Sequence, residues 1–142
     1  MIGQTGRMDL AELYRRWLFD VWQGDYAAAE EIFAPGFVGH WPGFDVHGPQ
    51  GAVEQVRKSR EMFDDIANTL DVGPIVDGDM VAARWTFNGA YRQGVPGATV
   101  EPGTGVAFVG HDIFRAENGR FAEYWPVSDA LGLMTALGAL GG

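Results

Sequence analysis

The 142-residue chain contains no cysteine, which excludes disulfides, zinc–thiolate sites and thiol nucleophiles together, without fixing a redox compartment. Basic residues are scarce. Ten Lys and Arg face nineteen Asp and Glu, for a formal charge of −9 and a pI near 4.6. So acidic a surface repels phosphate backbones and anionic lipid, and nucleic acid is not an expected partner. No window approaches the roughly 20 apolar residues of a bilayer span, and the opening MIGQTGRMDLAELYRR has no apolar stretch of signal-peptide length, so a cytoplasmic protein without membrane contact is expected. Histidine is also sparse. His40, His47 and His111 are scattered and have no cysteine to assist them, a poor ligand set that argues against a metal. The glycines of GTG and GPQG lack the strand-to-helix setting of a phosphate loop.

What the chain does have is aromatic: five Trp, nine Phe and four Tyr, spread over every expected element. They serve either to fill a core or to line a hollow for a flat organic ligand. The length suits one domain over residues 1–142, large enough to bury a core without staples.

From Asp9 to Trp22, Leu10, Leu13, Trp17, Leu18, Val21 and Trp22 recur at three- and four-residue steps, the period of a helix with one buried face. A short second helix is expected over DYAAAEEIFA, capped by Asp25 and stopped by Pro35, and a third over GPQGAVEQVRKSREMFDDI, with Pro49 in its first turn. A short extended piece, GFVGHWPG, joins them. After Ile66 the period changes to that of strands, in ANTLDVGPIV, DMVAARWTFNGAYRQG, GTGVAFVGHDIFRA and RFAEYWPVS, with DGD, QGVPG and ENG as turns. DALGLMTALGALGG ends the chain as a short apolar helix through Leu131, Met134 and Leu137, or as a flexible end. Helices followed by an antiparallel meander is an α+β plan.

The last hairpin can be registered from its Asn118-Gly119 turn. Glu117 then opposes Arg120, Arg115 opposes Ala122, Ile113 opposes Tyr124 and His111 opposes Pro126. One face would hold His111, Ile113, Arg115, Ala122, Tyr124 and Pro126. The other would hold Asp112, Phe114, Phe121, Glu123 and Trp125, and a slip of one residue would regroup them all.

In this order, FVGHW, HGPQGAVEQV, DGDMVAARWTFNGAY, PGTGVAFVGHDIFRAENGRFAEYW and SDALGLMTALG resemble the SnoaL-like polyketide cyclases of the nuclear-transport-factor-2-like superfamily, from about Asp9 to Gly138. The resemblance implies a cone-shaped α+β fold with the N-terminal helices packed on a curved antiparallel sheet, and a cavity between them. It also implies a homodimer or homotetramer formed through the sheet, and cofactor-free aldol-type ring closure of a hydrophobic polyketide-like carbonyl compound, or a related isomerisation, hydration or hydrolysis. In such a reaction a side-chain base takes a proton next to a carbonyl and a protonated partner steadies the enolate.

The resemblance puts His111 at the family's hairpin histidine. It aligns the family's acid–base aspartate, just after the EYW tryptophan, with Pro126, which cannot carry a proton. Asp129 and His40 are then the replacement bases, and Tyr124 a phenol donor to an oxyanion. His40, Trp41, Arg84, Trp85 and Tyr91, the last standing where the family's GTH phrase has histidine, are the expected substrate contacts. Against these roles stand plainer ones: Asp129 as a helix cap, Tyr124 as a core tyrosine, Arg84 as a solvated cation, and the acidic turn residues Asp64, Asp65, Asp71, Asp77 and Asp79 as backbone partners. A non-catalytic ligand-binding protein on the same fold is the alternative, because Pro126 removes the expected catalyst. An epoxide hydrolase is a third and weaker reading, because its Asp, Arg, Asp set has no counterpart on one strand.

Overall fold

The computed structural model describes residues 9–140. Residues 1–8 and 141–142, on which the readings of the N-terminus and of the glycine-rich end partly rest, lie outside the described residues. Among the described residues the architecture is α+β: four α-helices and one six-stranded sheet. Helix α1 (Leu10–Arg15) begins at Asp9, whose carboxylate accepts the Glu12 N–H at 2.8 Å. It widens into a π-turn over Arg16–Asp20 and tightens to 3₁₀ over Val21–Gln23, ending at Gly24 with φ 103°. A 3₁₀ turn (Tyr26–Ala28) leads into the one-turn α2 (Ala29–Ile32). Strands β1 (Phe33–Trp41) and β2 (Phe44–His47) precede α3 (Gly48–Met62), and β3 (Phe63–Asp77), β4 (Met80–Tyr91), β5 (Gly105–Glu117), β6 (Arg120–Ser128) and α4 (Ala130–Ala136) complete the chain.

Three boundaries differ from expectation. Pro35 lies inside β1 instead of ending the short second helix, and Asp25 makes no capping hydrogen bond. Helix α3 ends at Met62, so Phe63 to Ile66 open β3.

The sheet order is β2-β1-β6-β5-β4-β3, antiparallel except where β1 runs parallel to β6. Its inner face meets the helices. Leu13, Tyr14, Trp17, Leu18 and Val21 from the N-terminal helix, together with Ala52, Val53 and Val56 from α3, pack with Val81, Ala83, Phe114 and Phe121 of the sheet. Trp17 is the hub, with edge-on contacts to Trp22, Phe33, Phe114 and Tyr124 at 5.3–6.3 Å. A second cluster around Phe63, Phe87, Tyr91 and Leu137 closes the other end of this face.

The decisive departure is in the β5–β6 hairpin. The Asn118-Gly119 turn forms as expected, with φ of 52° and 80°, and Glu117 faces Arg120. The register then shifts between Arg115 and Ala116: Ala116 pairs with Phe121, but Arg115 pairs with Glu123, leaving Ala122 as an extra residue in β6. A bulge of one residue exchanges the faces of everything beyond it. Asp112 therefore opposes Pro126, Phe114 opposes Tyr124, and His111 opposes Val127. The inner face receives Asp112, Phe114, Tyr124 and Pro126, all buried, whereas His111 and Ile113 are exposed on the outer face.

Candidate active site

Between the inner sheet face and the helices lies a cavity of about 120 Å³. Trp17 and Leu18 of the π-turn, Phe63, Phe87, Asp112 and Tyr124 form its buried part. The half-buried Trp22, Ser59, Met62, Asn68, Trp85, Phe108 and Leu133 surround the rest. The π-turn does local work here. Its wider ring sets Trp17 and Leu18 inward together, and the Leu18 carbonyl accepts the Asn68 side-chain N–H at 3.0 Å. Across the sheet, Trp85 pairs with Gly110, and its indole lies so close that a Cβ at position 110 would sit 2.1 Å from the ring. Glycine at 110 is what lets this wall form.

Among the described residues Asp112 is the one charged residue in the buried set, at 1% exposure. Tyr124 donates its phenol hydrogen to Oδ1 at 2.6 Å, and Tyr14 of α1 donates to Oδ2 at 2.8 Å. The Tyr124 ring is stacked flat on Phe114, 4.0 Å away, and braced edge-on by Trp17 and Trp41, so its oxygen is held in place. Burial pushes the Asp112 carboxyl up to about 6. Hydrogen bonds from Tyr124 and Tyr14 and the nearby Trp85 indole limit that rise. The two phenols are also driven up, well above their ordinary value, by burial and by the adjacent carboxylate. Near neutral pH the cluster thus holds one proton-accepting group between two fixed donors.

The other candidates are placed as follows. Of those expected from sequence, Tyr124 and Trp85 line the cavity. His111 stands on the outer face, where its Nε2 is 3.0 Å from Arg84 Nη1; a guanidinium only donates, so this nitrogen accepts. The bulge is the reason that His111 misses the cavity, and Arg84, paired with it across the regular β4–β5 ladder, shares its outer face. His40 also faces outward. It bridges Asp45 (3.1 Å) and Glu123 (2.8 Å) and stacks on Trp125, and these two carboxylates hold its pKa above the usual value. Trp41 packs against the far side of Tyr124 and stacks on Phe44. Tyr91 is buried in the second cluster, its oxygen accepting the Val95 N–H at 3.3 Å. Asp129 caps α4 by accepting the Gly132 N–H at 2.8 Å, the plainer of its two readings.

Asp112 and Tyr14 were missed, although both left a signal. Phe108, Gly110, Asp112, Phe114 and Ala116 are spaced by two and are otherwise apolar or small, and Tyr14 lies on the same stripe as Leu10, Trp17 and Leu18. Among the described residues no cluster of three His, Asp or Glu side chains is arranged to hold a metal ion, and no helix is long and apolar enough to cross a membrane.

Comparison with known proteins agrees with this architecture. The sequence pattern of the SnoaL-like polyketide cyclases matches residues 12–137. Among solved structures, TsrD from Streptomyces laurentii is 29% identical with a TM-score of 0.76, over 93% of this chain and 98% of its own. IdmH from Streptomyces antibioticus is 25% identical with a TM-score of 0.77, over 89% and 96%. A SnoaL-like polyketide cyclase from Agrobacterium tumefaciens, at 18% identity, shares the fold with a TM-score of 0.73, over 92% and 99%. No curated protein sequence matches.

Proposed function

The chain belongs to the SnoaL-like polyketide cyclase family, and from that premise we propose that it is a cofactor-independent acid–base enzyme with Asp112 as its proton-transfer group. Its substrate would be a hydrophobic polyketide-like carbonyl compound, and its reaction aldol-type ring closure or a related isomerisation or hydration. The observation that carries this is a carboxylate buried in an apolar cavity and clamped by two phenols. Pro126, where a catalytic aspartate was expected, lies directly opposite Asp112 in the β5–β6 register. The acid–base group has moved one strand across, not three residues along to Asp129.

The steps follow from the chemistry of this one group. Above about pH 6 Asp112 is ionised and removes a proton from the carbon next to a carbonyl, leaving the electron pair on the enolate. The enolate carbon attacks a second carbonyl of the same molecule, a carbon–carbon bond forms, and the new alkoxide takes the proton back from Asp112. Each carboxylate oxygen accepts one phenol hydrogen bond and keeps a further acceptor direction for the transferred proton. Tyr14 does not line the cavity; it is a positioning residue that fixes the orientation of the carboxylate.

Exchange of the substrate's α-protons in D₂O isolates the first step and needs no knowledge of the full substrate. With a panel of aryl 1,3-diketones, the wild-type protein is expected to accelerate loss of the α-proton NMR signal, and Asp112→Asn to reduce that acceleration by about 10²- to 10⁴-fold. Full activity in Asp112→Asn overturns the assignment. Absence of wild-type exchange on every compound favours a ligand-binding protein instead.

The same proposal extends to assembly as a homodimer or homotetramer through the outer sheet face. That face exposes Val72, Ile75, Ile113 and Val127, at 43–61%, and it lies opposite the cavity, so a second copy seated there leaves the site open.

A further inference from the structure

Native proteins leave few buried polar atoms without a partner, and each exception calls for a reason. Among the described residues three buried side-chain atoms have no hydrogen-bond partner within the protein: Trp17 Nε1, Trp85 Nε1 and Asn68 Oδ1. All three side chains line the one cavity. The indoles lie beside the Tyr124 oxygen and Asp112, close enough to favour the ionised forms of these groups but off hydrogen-bond geometry. Asn68 is oriented by its bond to the Leu18 carbonyl, which uses its N–H and leaves its oxygen as the free acceptor. The rest of the lining is apolar except for Asp112, Tyr124 and Ser59, and the Ser59 hydroxyl is bonded to the Gln55 carbonyl.

The size of the cavity narrows the choice of occupant. An apolar hollow of about 150 Å³ holds benzene, so about 120 Å³ has room for at most one six-membered ring and excludes a fused polycycle lying wholly inside. We propose that the cavity recognises a single hydroxylated ring bearing a carbonyl, either alone or as the reacting end of a longer molecule. The carbonyl oxygen takes the indole N–H groups of Trp17 and Trp85, and the ring hydroxyl donates to Asn68 Oδ1. This rests on the acid–base reading of the same site and adds to it. The donors that meet the carbonyl are those that meet the enolate oxygen once Asp112 has taken the proton, and the hydroxyl requirement selects among carbonyl compounds.

The test uses acetophenone, its 2′-, 3′- and 4′-hydroxy derivatives and the matching methoxy ethers, with binding followed through the indole N–H resonances of the five tryptophans. The Trp17 and Trp85 signals, assigned from Trp→Phe variants, should shift on titration. At least one hydroxy isomer should bind about five- to tenfold more tightly than both acetophenone and its own methyl ether. In Asn68→Leu that preference should vanish, so that the hydroxy isomer binds no more tightly than acetophenone does to the same variant. If no hydroxy isomer is preferred by the wild type, or if the preference survives in Asn68→Leu, the inference is wrong; the ligand series on the wild type decides even if the variant fails to fold. Deuterium exchange with Asp112→Asn is scored separately. Hydroxyl preference without Asp112-dependent exchange supports the recognition and sinks the catalysis, and exchange without hydroxyl preference does the reverse.

Discussion

Replacing Asp112 by asparagine should make the protein more stable at alkaline pH and leave it nearly unchanged in acid. Burial raises the carboxyl from 3.8 to about 6 in the fold, so the fold favours the neutral form. Below pH 3.8 the group is protonated in both folded and unfolded chains and costs nothing. Between 3.8 and 6 the unfolded chain releases its proton first, and stability falls as pH rises. Above 6 the full cost is present, about two pH units at 1.36 kcal/mol each, or about 3 kcal/mol. Asparagine keeps the shape and can bond both phenols, but carries no charge to bury. Urea unfolding followed by tryptophan fluorescence at pH 4 and pH 8 measures the difference. The stability of Asp112→Asn relative to wild type should rise by about 2–3 kcal/mol between the two, seen as a midpoint about 1–2 M higher at pH 8. An equal effect at both pH values, or a loss of stability at pH 8, would refute the claim that this carboxylate is held ionised against its surroundings.

Three further outcomes follow. Gly110→Ala should displace the Trp85 indole, which a new Cβ would meet at 2.1 Å. This costs about 1–3 kcal/mol of stability and weakens aryl ketone binding, checked by thermal melting and indole NMR. His40→Gln should destabilise more at pH 6 than at pH 9. The neighbouring Glu123 and Asp45 raise its folded pKa, so its contribution is complete below the unfolded value near 6.5 and is lost as pH rises through the folded one; denaturation at the two pH values tests this. Ile113→Glu, on the exposed apolar outer face, should lower the sedimentation coefficient to that of a single chain while cavity binding persists, and an unchanged oligomer would count against assembly through that face.

Much of the fold was legible because period and punctuation agree. The Leu10 to Val21 stripe, Pro49 at the start of α3 and the Asn118-Gly119 turn all form where the residues indicate. The π-turn was not legible, since Trp17 and Leu18 fit an ordinary helical stripe equally well, and the widening depends on tertiary contacts such as that between Leu18 and Asn68. The bulge at Ala122 was the costlier omission. A hairpin counted outward from its turn is right only until an extra residue intervenes, and beyond that point it exchanges His111 for Asp112. Burial alternation would have exposed the error, because Phe114, which shares a face with Asp112, belongs in a core and not in solvent. Asp129 and His40 attracted attention by residue type alone, whereas their neighbours, a helix amide in one case and two carboxylates in the other, determine what they do.

Asp112 as a near-neutral acid–base group is tested most directly by its own titration, followed by the side-chain carboxyl ¹³C shift in the ligand-free protein and identified by its disappearance in Asp112→Asn. The midpoint should fall at about 6 and move upward by about one pH unit in Tyr14→Phe, where one hydrogen bond to the carboxylate is lost. A midpoint at or below 4, unmoved by loss of the Tyr14 hydroxyl, would identify an ordinary structural carboxylate and contradict the assignment.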